Sequence, residues 1–214
     1  MEKITSSENP PELKIIYSVE QEVARIKNTL SKLDWFEKEG YKVHLPEGIS
    51  ADSSDEEITR AVEKEYSGHE KSFVENADWL EKNWPKYARE LGTKLIECNL
   101  KPESKYELLL TLYGVGGSYN RPNRILVNIK NFYELGLLRT VLHEAVHLAV
   151  QDLIVKYDIS HWVKERIVDL LMQKFFPGLD EMQKVKVETE GIDKVFSESY
   201  PDVPKIIEKL SQKH

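Results

Sequence analysis

Residues 133–156 carry Leu135, Leu137, Leu138, Val141, Leu142, Ala145, Val146, Ala149, Val150, Leu153 and Ile154, an apolar pattern too dense for a surface helix. It predicts a helix buried on most of its circumference, with Asn131 and Glu134 suited to its start and Lys156 to its end. In its middle stand His143, Glu144 and His147, spaced His-Glu-x-x-His. Buried polar groups are costly unless they find partners. Residues four apart on a helix lie one turn apart on the same face, so both imidazoles can reach one metal ion. Glu144, next to the first histidine, is placed to hold and deprotonate a water at the ion without itself being a ligand. The competing reading is a pair of core histidines hydrogen-bonded to carbonyls.

The rest of the chain narrows the class. At 214 residues it can form one larger domain or a small catalytic domain with an added helical region. A net charge of −7 argues against nucleic acid as a partner, since that demands a basic face. No apolar run approaches a membrane span, and the opening MEKITSSENPPE reads as neither a signal nor a transit peptide. A single cysteine, Cys98, excludes an internal disulfide framework and fits a reducing cytoplasm. Cys98 falls in an amphipathic helical stretch and reads as a small core residue.

The expected fold class is α+β, predominantly helical. Residues 1–12 read as a flexible tail and 13–101 as a helical N-terminal region. Within that region one helix is expected over 19–39, ended by Gly40, then a short extended piece over 41–45 and a loop over 48–56. Further helices run through Ile58 and Val62 and through Trp79 to Leu95. Trp35, Trp79 and Trp84 offer the aromatic surface of a carbohydrate or peptide platform, but at helical spacing they read more simply as core. Residues 102–178 read as the catalytic core. Strands are expected over 106–115 and 124–129, joined by a loop of turn residues over 116–123. The glycines at 114, 116 and 117 do not make a phosphate cradle, because no helix begins there. The histidine-bearing helix follows, then another over 160–176, stopped by Pro177 and Gly178. Residues 179–214 form a charged, weakly helical extension expected to pack on that core.

A catalytic zinc site needs a third protein ligand. The position that would carry a metzincin's third histidine is Leu153. The chain next offers His161, Glu165 and Asp169, four apart and therefore along one helical face, about 40° between successive side chains. A more remote ligand such as Glu188 or Glu190 also stays open. Glu165 with Asp169 resembles the second motif of the gluzincins, the zinc peptidases that include the thermolysin-like enzymes. The likeness covers residues 143–169, and more loosely the strand–helix–helix stretch over 105–176 as a minimal zincin-like core. It implies His143, His147 and Glu165 as ligands of one Zn2+ ion, Glu144 as general base, and Asp169 as the carboxylate that orients a histidine. The thermolysin-like enzymes have asparagine where Lys164 stands, and gluzincins often place a small residue where Val168 stands. The stretch over 165–177 also looks like the glutamate-bearing helix of small zincin domains in bacterial stress regulators, which nominates the same Glu165. His161, the alternative third ligand, lies near the distance at which SprT-like proteases place a histidine; it is also a candidate donor to a developing oxyanion.

The expected function is a zinc metallopeptidase acting on a peptide or protein substrate, with water activated by Glu144. In zincins the substrate lies along an edge strand, for which 124–129 or 108–115 are candidates, with Tyr119, Asn120 and Arg121 as possible substrate contacts. The alternative is a zincin-fold regulatory or binding protein with little or no peptidase activity.

Overall fold

Eight helices and four strands make up residues 10–132, 134–179 and 182–212, which are those the computed structural model describes. The tail expected over 1–12 therefore lies outside the described residues up to residue 9, and so does residue 133 beside the expected cap at Asn131. The architecture is α+β and predominantly helical, as expected. No described helix is long and apolar enough to cross a membrane.

The strands are β1 (Glu12–Ile16), β2 (Lys105–Thr111), β3 (Gly117–Asn120) and β4 (Arg124–Asn128), in the order β1-β2-β4-β3. β1 and β4 both run parallel to β2, and β3 runs antiparallel to β4. Two expectations change here. The segment over 116–123 is not all loop: its first half is β3, and the hairpin joins β3 to β4. β1 on its far side makes β2 an interior strand, β4 lies between β2 and β3, and β3 is the edge on the side of the histidine-bearing helix. The leucine-rich run of β2 follows from this position, since Leu108, Leu109 and Leu110 are all buried, on both faces of the sheet.

β2 also ends earlier than its apolar run. Helix α1 (Val19–Leu30) brings Glu22 against its end, where the carboxylate accepts from Leu112 N at 2.7 Å and from the Thr111 hydroxyl. Arg25, one turn on, lies so close to Gly114 that a Cβ there would meet its guanidinium. Gly114 has φ +81° and pairs with His44 in an isolated bridge, the extended piece foreseen near 41–45.

The single helix expected over 19–39 is broken at Ser31 and Lys32, and α2 (Leu33–Glu39) follows as a separate element. Gly40 ends it in the left-handed conformation, with φ +77°. Next come α3 (Asp55–Tyr66), opened by a capping box between Ser54 and Glu57, and α4 (Glu70–Glu97). α4 buries Phe73, Ala77, Leu80, Trp84, Ala88, Leu91 and Leu95 along one stripe. Trp84 is core, its indole N–H donating to Pro11 O at 2.7 Å, and Trp79 packs against that core. Trp35 departs from the expectation: it is 44% exposed.

α5 (Glu134–Lys156) packs on β3 and β4, and also on α4, α6 (His161–Phe175) and α8 (Val203–Ser211). Neighbours around most of its circumference explain why its sequence is apolar nearly all round. α7 (Glu190–Ser199) and α8 pack against α6 and α5. Cys98 is buried at the end of α4, as expected for a core residue.

Candidate metal centre

One turn of α5 separates His143 from His147, and α6 crosses so that Glu165 faces both. His143 Nε2 lies 3.0 Å from His147 Nε2, and Glu165 Oε2 lies 3.2 Å from His147 Nε2 and 3.7 Å from His143 Nε2. Donor atoms on a tetrahedral zinc ion with bonds of 2.0–2.1 Å would stand about 3.3–3.4 Å apart. The triangle therefore fits such an ion closely. These three residues are the group among the described residues whose ligand atoms converge in this way. All three are buried. Two imidazole nitrogens and a carboxylate oxygen packed this tightly point three donor atoms at one place, where a single cation can take all of them.

The surroundings prepare these ligands. Burial holds the His147 ring down at about 4, keeping it the neutral imidazole that a metal requires. Burial opposes charge on Glu165 as well, but His147, His143 and Lys164 hold its carboxyl far below the usual carboxylate range. Burial disfavours charge on His143 too, yet Glu165, Glu144 and Asp169 outweigh it and raise its pKa. Asp169 Oδ1 stands 3.8 Å from His143 Nδ1, on the far side of the ring from the centre, which is where an orienting carboxylate belongs. Burial pushes the Glu144 carboxyl up to about 7, against the pull of His143 and Lys164. Such a group accepts and returns a proton near neutral pH.

A cavity of about 310 Å³ opens over the centre, lined by Glu144 and the three donors on its floor. β3 forms one wall. Gly117 crosses so close to Glu144 that an added Cβ would lie against its carboxylate and 2.6 Å from Thr140 Cγ2. Tyr119 stacks on the His147 ring at 5.1 Å between centroids, and Lys164 Nζ donates to its hydroxyl at 3.2 Å. The opposite wall is aromatic and comes from the N-terminal region: Trp35 and Phe36 of α2, then Tyr41. Tyr41 also stacks on Trp162 at 6.0 Å, while the Trp162 indole N–H donates to Glu39 at 2.8 Å.

The sequence candidates separate clearly in space. His143, Glu144, His147, His161, Glu165 and Tyr119 all line the cavity. His161 stands outside the donor triangle: its Nε2 is 2.7 Å from the Tyr41 hydroxyl, and its Nδ1 is 3.6 Å from Glu165 Oε1. Arg121 points elsewhere, paired at the surface with Asp152 of α5. Glu188 and Glu190 lie outside the donor group, Glu188 accepting instead from Glu190 N at 3.1 Å. The spacing alone reads Trp35 as core and Gly117 as a turn residue, and it singles out neither Tyr41 nor Gln183. The glycine run at 116–117 was the one visible signal among them.

No family model, curated protein or solved structure matches the chain. Its functional reading therefore rests on the chemistry of the site.

Proposed function

We propose that the chain is a metal-dependent hydrolase. More particularly, we read it as a zinc peptidase. The observation that carries this is the His143–His147–Glu165 triangle with a proton-accepting Glu144 beside it in a walled cavity. His143, His147 and Glu165 would hold the ion, which when bound acidifies water and polarises a carbonyl. Two nitrogens and one oxygen suit zinc among the common divalent ions, with Asp169 setting the orientation of His143.

Glu144 takes the proton from the water that attacks the carbonyl and delivers it to the departing amine. Lys164 and His161, beside Glu165, supply positive charge and a hydrogen-bond donor to the oxygen that becomes negative. Burial works against charge on Lys164, but Glu165 and Tyr119 outweigh it, so the ammonium stays charged. β3 is an edge strand bordering the cavity, where an extended peptide can add as a further strand. The aromatic wall suits a bulky apolar side chain next to the scissile bond.

Purified protein is expected to carry one zinc ion per chain by elemental analysis. His147→Ala is expected to lose it. Glu144→Gln is expected to keep it and to cleave a fluorogenic peptide library about 10²–10⁴ times more slowly than the wild type. A Glu144→Gln variant that cleaves as fast as the wild type would sink the peptidase reading, and a chain without affinity for zinc would sink the metal centre.

A further inference from the structure

Gln183 belongs to neither of the helices that build the centre, yet its side chain reaches into it. Its amide Nε2 lies 3.0 Å from His143 Nε2 and 3.3 Å from Glu165 Oε2. Those separations match the edges of the donor triangle. Gln183 therefore stands at donor distance from two corners of the triangle, on its His143–Glu165 edge. A catalytic zinc site leaves one position open to water, and a polar group this near two of the donors can take it. Rotation about the last side-chain torsion exchanges amide nitrogen and oxygen at one place, so the same group can offer an oxygen to a cation.

The backbone on either side is tied down. Gln183 N donates to Asp169 Oδ2 at 2.8 Å, on the same carboxylate that faces His143. Three residues on, Lys186 Nζ donates to Glu39 O at 2.7 Å, at the carbonyl end of α2, and lies over the Trp162 ring at 5.3 Å. A lysine at a helix C-terminus is also favoured by the helix dipole. A second cavity, about 510 Å³, runs beside the first and is lined by Trp162, Met182 and Lys186. Tyr41, Phe132, Arg139 and Gln183 line both, so Gln183 stands in the partition between the outer groove and the centre.

We propose that Gln183 is a fourth donor at the metal centre, and that residues 182–186 form a strap that holds the site closed until it is displaced. The inference rests on the metal-centre reading above. It assigns the resting protein a saturated coordination sphere, and it makes release of the strap the step that frees a coordination position for water beneath the cavity. Lys186 and Asp169 are its two clasps, one on the N-terminal region and one on α6. Movement of α2 relative to α6 is thereby coupled to access to the centre.

Cobalt(II)-loaded wild type, Gln183→Ala and Lys186→Ala, each checked for folding by circular dichroism, test this with acetohydroxamate as the metal-seeking probe. Visible absorption of the cobalt reports both metal content and probe binding. Gln183→Ala is expected to bind the probe about 10- to 100-fold more tightly than wild type, as for a site otherwise open in about one molecule in ten to a hundred. Lys186→Ala is expected to move the same way by a smaller factor. The affinity for cobalt itself should fall or hold in Gln183→Ala, since a donor has been removed. General loosening of the fold would instead weaken metal and probe together. Equal probe affinity in all three proteins, each holding one cobalt per chain, overturns the strap. Failure of the wild type to bind cobalt overturns the metal centre, and the strap with it.

Discussion

Glu22 is a carboxylate inside the core. Both its oxygens are taken by the end of β2, and burial lifts its pKa from an ordinary 4.5 to about 7. A folded-state pKa above the unfolded one means that the native chain binds the proton more tightly. The associated stability is complete below pH 4.5 and is lost as pH rises through 7. That interval corresponds to about 3 kcal/mol. Glu22→Gln has no charge to gain, so it is expected to flatten the decline in unfolding free energy across that range, measured by urea titration of metal-free protein. An unchanged slope would assign the decline to other groups. Glu22 and Arg25 flank Val23 and Ile26 in a helical pattern, where charged residues ordinarily read as the solvent face. They become internal because β2 arrives from some ninety residues away, which no local pattern records.

Among the elements, the crossing of β3 over α5 matters most. The edge strand approaches the helix at Gly117, where the missing side chain leaves room for the Glu144 carboxylate. Gly117→Ala is expected to displace that carboxylate while leaving the three donors in place. Metal content should stay at one per chain while hydrolysis falls at least tenfold, and overpacking should destabilise the fold by about 1–3 kcal/mol. Retained activity in the alanine variant would mean that the base is not held by this contact. The helices were largely legible because their apolar period reports a single face; α4 and α5 are long and strongly patterned. The sheet was less so. Alternation and apolar runs mark strands but do not say which strands pair, and β3 is a four-residue stretch of glycine, serine, tyrosine and asparagine. Its extended form is imposed by β4 and α5, and its own side chains give little sign of it.

For the molecule as a whole, donors from α5 and α6 under the proposed strap would make metal binding a clamp between distant parts of the chain. An ion that binds only the native state stabilises it by about 4 kcal/mol at a free concentration a thousand times its dissociation constant. For a protein of this size that is a rise in melting temperature of about 8–16 °C. Stripping the metal with a chelator is expected to lower the thermal midpoint by that amount, and restoring zinc to recover it. His147→Ala should melt at the lower temperature with or without zinc. An identical shift in that variant would place the stabilising ion elsewhere.

Residue order suffices within one helix: it buries α5 and sets His143 and His147 on one face, with Glu144 beside them. Helical geometry makes residue spacing equivalent to direction, so four residues suffice to aim two imidazoles at one point. Packing between elements sets whatever must cross from one to another. From His161, Glu165 and the more distant glutamates, packing of α6 on α5 brings an oxygen of Glu165 into the triangle and gives His161 to Tyr41. It sets Trp35 at the cavity wall instead of in the core, and turns Arg121 toward Asp152. It also carries Gln183 back across the centre, thirty-six residues beyond His147. Contacts such as these depend on how whole surfaces fit together, and the spacing of residues along a chain does not encode that fit.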